Sequence, residues 1–137
     1  CGAAMELPDG SIVSGYNTPE LHAASSLILN SARMLAGLAE DDELLPPAVV
    51  RSISHLKKDV LGRKRVSLDA DETLIALGIS AASDPNASSA VEKLEMFRGC
   101  EVHMTHMPSP GDEAGLRKLG INLTTEPRFA SKRLFAS

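Results

Sequence analysis

Arg98 to Pro127 reads RGCEVHMTHMPSPGDEAGLRKLGINLTTEP, and this stretch decides the fold. Cys100 to Met107 alternates apolar and polar side chains and is rich in Val, Met and Thr, which is the pattern of a half-buried strand. Ser109-Pro110-Gly111-Asp112 is a helix start. Ser109 can cap, Pro110 suits the first helical position, and Asp112 brings negative charge to the positive end of the helix dipole. Gly120 stops that helix, and Ile121 to Glu126 is a second strand. A strand-helix-strand unit this short implies two parallel strands joined by a right-handed crossover. The class is therefore α/β.

Outward from that unit the chain supplies more of both layers. Ala4 to Leu7 and Ile12 to Gly15 flank Pro8-Asp9-Gly10-Ser11, a hairpin signal. Thr18, Pro19 and Glu20 read as the start of a first helix, with Leu21, Ala24, Ile28, Ala32 and Leu35 at helical spacing. Glu40 to Glu43 is an acidic loop. Pro46-Pro47 opens a second helix, with Val49, Ile53, Leu56 and Val60 expected on one face, ending near Gly62. Asp69 with Glu72 is a capping box with Asp in place of Ser or Thr. The helix that follows, Leu74 to Ala82, is apolar on nearly every side, so it is expected to be central and buried, with Gly78 allowing close packing. Asp84-Pro85 restarts a fourth helix that stops at Gly99. A basic tail runs from Arg128 to Ser137 with Phe129, Leu134 and Phe135. The expected architecture is one domain over residues 1–137, a small mixed sheet of about four strands packed by about five helices.

Composition bounds the function. At 137 residues with 43% hydrophobic side chains the chain is globular and long enough for a core. Fourteen basic against eighteen acidic residues, with three Phe, one Tyr and no Trp, argue against a nucleic-acid binder. No apolar run approaches the ~20 residues of a membrane-spanning helix, so no membrane partner is expected. Cys1 and Cys100 alone make no disulfide framework, which favours a cytoplasmic setting. Starting on Cys1, the chain reads as a fragment of a longer protein. A matured lipoprotein and an N-terminal nucleophile are the other readings, and both lack the accompanying signals.

Candidate chemistry gathers on the two strands of the opening stretch. Alternation sends Val102 and Met104 one way and Glu101, His103 and Thr105 the other. On the last strand, Ile121 and Leu123 oppose Asn122, Thr124 and Glu126. One sheet face is thus apolar, and the other carries the candidate catalytic residues His103, Thr105 and Glu126. The loop into the helix, through Ser109 and Gly111, is the candidate ligand-binding element, since helix N-termini at strand ends accept polar groups. His103 and His106 are three apart on a strand, so their imidazoles diverge, and no metal site is expected. Arg63-Lys64-Arg65 reads as a solvated charge run beside a helix end. No Walker or dinucleotide loop and no Gly-x-Ser-x-Gly elbow occurs, and no cofactor is expected.

Five segments share a further pattern. They are Glu6-Leu7-Pro8-Asp9-Gly10-Ser11-Ile12-Val13; Leu74-Ile75-Ala76-Leu77 running to Ile79-Ser80-Ala81-Ala82; Arg98-Gly99-Cys100-Glu101 with His103; Arg117-Lys118-Leu119-Gly120; and Glu126-Pro127 with Lys132-Arg133-Leu134. Together they resemble the C-terminal domain of a family of long bacterial cytosolic proteins known as a domain of unknown function. The resemblance implies a three-layer α/β fold with a deaminase-like strand arrangement, but this chain lacks zinc ligands for it. It also implies upstream domains with a glycine-rich, lysine-containing segment. His103 fits the family pattern, and His106 departs from it. Two functions follow as expectations. The first is a C-terminal docking or oligomerisation module, with the upstream domains or further copies as partners. The second is a phosphate- or nucleotide-related enzyme site, shared with the upstream domains, to which His103 and its neighbours contribute.

Overall fold

Residues 1–129, which the computed structural model describes, run in the order β1 (Gly2–Glu6), β2 (Ile12–Tyr16), α1 (Ala23–Leu35), α2 (Pro47–His55), α3 (Ala70–Ser80), α4 (Pro85–Lys93), β3 (Glu101–Met104), α5 (Pro110–Lys118) and β4 (Asn122–Thr125). The tail residues Leu134 and Phe135 and the segment Lys132-Arg133-Leu134 lie outside the described residues.

The hairpin forms where Pro-Asp-Gly-Ser directed it. Gly10 takes a positive φ of 86°, and Ser11 N–H donates to Asp9 Oδ1 at 2.9 Å. The sheet order is β2-β1-β3-β4, with β1 antiparallel to both neighbours and β3 parallel to β4. The sheet is therefore mixed, and the strand-helix-strand unit of the opening stretch is present. Ala3, Met5, Val13, Val102 and Met104 are buried against the helices. α1 lies so close to β2 that a Cβ on Gly15 would stand 2.3 Å from the backbone nitrogen of Leu27. Only glycine permits that approach.

The opposite face is open. Side chains of Glu6, Ile12, Ser14, Tyr16, Glu101, His103 and Thr105 are exposed on it. Among the described residues α1 and α5 pack on the sheet, and α3 packs on α1, α4 and α5. No helix among them is long and apolar enough to cross a membrane.

Three local expectations need correcting. The first helix begins at Ala23 and not at Thr18-Pro19. Thr18 Oγ1 instead accepts from the N–H groups of Leu21 (2.9 Å) and Glu20 (3.2 Å), closing a turn. Leu21 then bridges Leu68, with Leu68 N–H donating to Glu20 O and His22 N–H to Leu68 O, so the chain stays extended there. The second helix passes at Leu56–Val60 into a π-helical turn. The wider turn rotates the expected stripe outward: Leu56 and Val60 are exposed, and Lys57 is buried in their place. The third helix is not central. Ala70, Thr73, Ala76 and Leu77 face the core, but Ile75 and Ile79 are each 63% exposed and nothing lies within 4 Å of a Cβ on Gly78.

Candidate functional site

Two polar constellations flank the strand-helix-strand unit. One sits on the open face of the sheet. Parallel register sets His103 beside Thr124. His103 Nδ1 is 2.7 Å from Thr124 Oγ1, and its Nε2 is 3.2 Å from Glu126 Oε1. A carboxylate can only accept, so the tautomer that bonds Glu126 through Nε2 leaves the Nδ1 lone pair facing the Thr124 hydroxyl, whose single proton has Val102 O at 3.4 Å as its other acceptor. About half of each of the His103 and Glu126 side chains is open to solvent. The structure thus brings the sequence-based candidates His103 and Glu126 together. Thr105 is on the same face but its hydroxyl is engaged elsewhere, accepting from Gly2 N–H at 2.9 Å and donating to Gly2 O at 3.2 Å. Thr124 stands next to the imidazole.

The second constellation is buried at the carboxyl end of β3, where three helices begin. The start of α1 (His22), of α3 (Asp69 and Ala70) and of α5 (Ser109 to Asp112) meet there. Asp112, 2% exposed, accepts from Ala70 N–H at 2.8 Å through Oδ1 and from His22 Nδ1 at 2.9 Å through Oδ2. One acid thus caps a helix other than its own and fixes the tautomer of a histidine. The favour is returned. Gly111 lies so close to the Asp69 carboxylate that a Cβ would fall 2.0 Å from Oδ2. Asp69 Oδ1 accepts from Glu72 N–H at 2.8 Å, and Glu72 Oε1 accepts from Asp69 N–H at 3.0 Å, completing the capping box read from the sequence. Glu72 Oε1 also meets Lys57 Nζ at 2.7 Å, and Lys57 donates to Ser67 O at 2.7 Å. The π-helical turn is what carries Lys57 inward to them.

This packing explains two shifted acidities. Burial pushes the Asp69 carboxyl up from its ordinary value, with Glu72 and Asp112 adding to the effect against the pull of the Glu72 amide and Lys57. His106 is 4% exposed and its Nδ1 has no hydrogen-bond partner. Burial pushes its imidazole down; Asp112 opposes this, while the N-terminal amine and His22 reinforce it.

The sequence-based candidates for ligand binding belong to this buried set. Ser109 Oγ accepts from Asp112 N–H at 3.2 Å, as a cap should, and Gly111 faces the Asp69 carboxylate. His103 and His106 point to opposite sides of the sheet, one exposed and one buried. Among the described residues no group of three or more His, Cys, Asp or Glu could hold a metal ion. Sequence reasoning missed His22 and the inward role of Asp112. Their partners are 90 residues apart in the chain, and no local spacing announces them.

Comparison with known proteins adds the wider context. A family model described as "Domain of unknown function DUF1846, C-terminal" matches residues 1–135. A UPF0371 protein of Corynebacterium diphtheriae is 41% identical over 134 residues, which is 98% of this chain and 27% of the relative. UPF0371 proteins of Clostridium botulinum (strain Eklund 17B) and Clostridium tetani are each 39% identical over 132 residues, 96% of this chain and 26% of theirs. The chain spans about a quarter of the length of these relatives.

Proposed function

We propose, from the premise that this chain belongs to the DUF1846 C-terminal domain family, that it is a docking module, seated through α3 on the remaining three quarters of a longer protein. The outer face of α3 carries this reading. Ile75, Gly78 and Ile79 lie within about one turn of α3, and Ala82 stands three residues beyond Ile79 just past the helix end, all exposed and all without charge. A helix that is apolar on nearly every side after its first turn is ordinarily covered there on every side. The inner side of α3 is covered by this domain's own core. Gly78, with open space in front of it, lets a partner backbone come close between the two isoleucines.

The length of the relatives favours one occupant. A domain that makes up a quarter of a chain has the rest of that chain at high effective concentration, and interfaces within a chain are of moderate size. A second copy, the oligomerisation expected from the sequence, would have to bury far more than one short helix face to hold without a tether.

Hydroxyl-radical footprinting of the full-length protein and of this chain alone tests the reading. Ile75 and Ile79 are expected to be oxidised readily in the chain alone and protected in the full-length protein at every concentration. Equal oxidation in both would overturn it. Protection that appears only with rising concentration would also overturn it, in favour of a second copy.

A further inference from the structure

We propose that Thr124, His103 and Glu126 form a nucleophilic relay on the open sheet face, with Thr124 accepting acyl groups from activated esters. Three observations support it. The first is the order of groups: hydroxyl, imidazole and carboxylate follow one another at 2.7 Å and 3.2 Å, and the tautomer protonated on Nε2 offers Nδ1 to the hydroxyl as a nearer acceptor than Val102 O at 3.4 Å. That is the arrangement a weak hydroxyl needs to become a nucleophile.

The second is the edge position of β4. Asn122 N–H donates to Cys100 O and Glu126 N–H to Met104 O, both at 2.9 Å. The even-numbered amides of β4 therefore face β3, and the alternation of a strand turns Leu123 and Thr125 N–H toward the outer edge, where no described strand lies. The amide that follows the nucleophile is thus available to an oxyanion, as it is in hydrolase elbows.

The third is the floor beside the imidazole. Ala4 is the cross-strand neighbour of His103, and Gly2 follows two residues along on the same face. Neither side chain covers the ring. The Tyr16 ring lies against Gly2, where a Cβ would stand 3.2 Å from it, on the β2 side of the same face. An open face with small neighbours leaves room at the imidazole for a short or aryl acyl ester.

The step balances without a redox partner. Thr124 Oγ bonds to the carbonyl carbon and its proton passes to His103 Nδ1. The bond from that carbon to the leaving oxygen breaks, and the leaving group takes the proton from Nδ1. Water then gives its own proton to Nδ1 and attacks the new ester, and Thr124 Oγ leaves with the proton restored. Glu126 stabilises the imidazolium in each half. The site lies on the sheet and not on α3, so it does not depend on docking.

p-Nitrophenyl acetate is the probe, applied to the chain at neutral pH. A burst of nitrophenolate is expected, with one acetyl group found by mass spectrometry on the peptide bearing Thr124. His103→Gln should slow that acetylation by about 100-fold or more, the usual reach of general-base catalysis. Glu126→Gln should slow it by about tenfold, and Thr124→Val should abolish it with the circular dichroism unchanged. His55, another exposed imidazole, reacts with this ester in its own right, so His55→Gln is the control and should leave Thr124 acetylation unaltered. Absence of acetyl on Thr124, or a rate indifferent to His103→Gln, would overturn the proposal.

Discussion

Replacing Asp112 by alanine should cost more than any other single polar substitution in this chain, because one buried carboxylate serves two elements. Deleting it leaves Ala70 N–H in the first turn of α3 without an acceptor, a loss of about 1–3 kcal/mol, and strips His22 Nδ1 of a bond to a charged group, about 1.5–3 kcal/mol. At 2% exposure no solvent rushes in to repair either bond, so little discount applies for screening. The two losses together span about 2.5–6 kcal/mol, and the middle of that span, about 3–5 kcal/mol, is the cost of removing one partner of a buried pair. A chain of 137 residues unfolds with an entropy of about 0.3 kcal/mol/K near its midpoint, so Tm should fall by about 10–17 °C. Asp112→Asn keeps an oxygen for Ala70 and surrenders only the His22 bond, so it should lose about half as much. Urea titration followed by circular dichroism measures both, through a lower midpoint at constant slope. His22→Ala on top of Asp112→Ala should add less than it does alone, since the pair shares one interaction. The reasoning fails if Asp112→Ala lies within about 1 kcal/mol of the parent, or if the two substitutions are additive.

Glycines give a matched contrast. Gly15→Ala drives a methyl to 2.3 Å from the α1 backbone and should cost about 3 kcal/mol or more, whereas Gly78→Ala meets nothing within 4 Å on an exposed helix face and should stabilise by about 0.5–1 kcal/mol; thermal melts of the two variants settle the order. His106 sets a pH dependence. Its folded value lies below the unfolded one, so the stability it contributes is complete above about pH 6.5 and is lost as pH falls below that. His106→Leu should flatten the Tm profile between pH 7 and pH 5, and an unchanged slope would refute the assignment. Asp69 has the opposite sign. Its folded value is raised, so the charged form is a strain that grows as pH rises through that value, and Asp69→Asn, which can still cap Glu72 N–H, should melt no lower than the parent at pH 7.

The strand-helix-strand unit, the hairpin and the capping box were legible because each rests on neighbours in the chain. Ser109 reaches Asp112 N–H three residues on, and Asp69 reaches Glu72 N–H at the same interval, so spacing alone predicts both bonds. Alternation along two strands likewise placed His103 and Glu126 on one face. It led to Thr105 as the hydroxyl beside the imidazole, where the structure has Thr124. The place of Thr124 rests on the register of β3 against β4 and on the appeal of Gly2 for Thr105, and both are long-range.

The misreadings share a cause. Thr18-Pro19-Glu20 has the chemistry of a helix start, and tertiary pairing of Glu20 and Leu21 with Leu68 overrides it. Pattern also read Leu74 to Ala82 as apolar on nearly every side, and the inference that this helix is central failed because a pattern cannot say which covering surfaces lie within the same stretch of chain. The same limit hid His22 and Asp112. Acidic residues at a helix start advertise their own dipole, and here Asp112 is spent on the neighbouring one. A helix start in sequence therefore identifies a charge that will be satisfied, and only the fold says by which helix. That is why the buried network escaped the sequence while the caps that frame it did not.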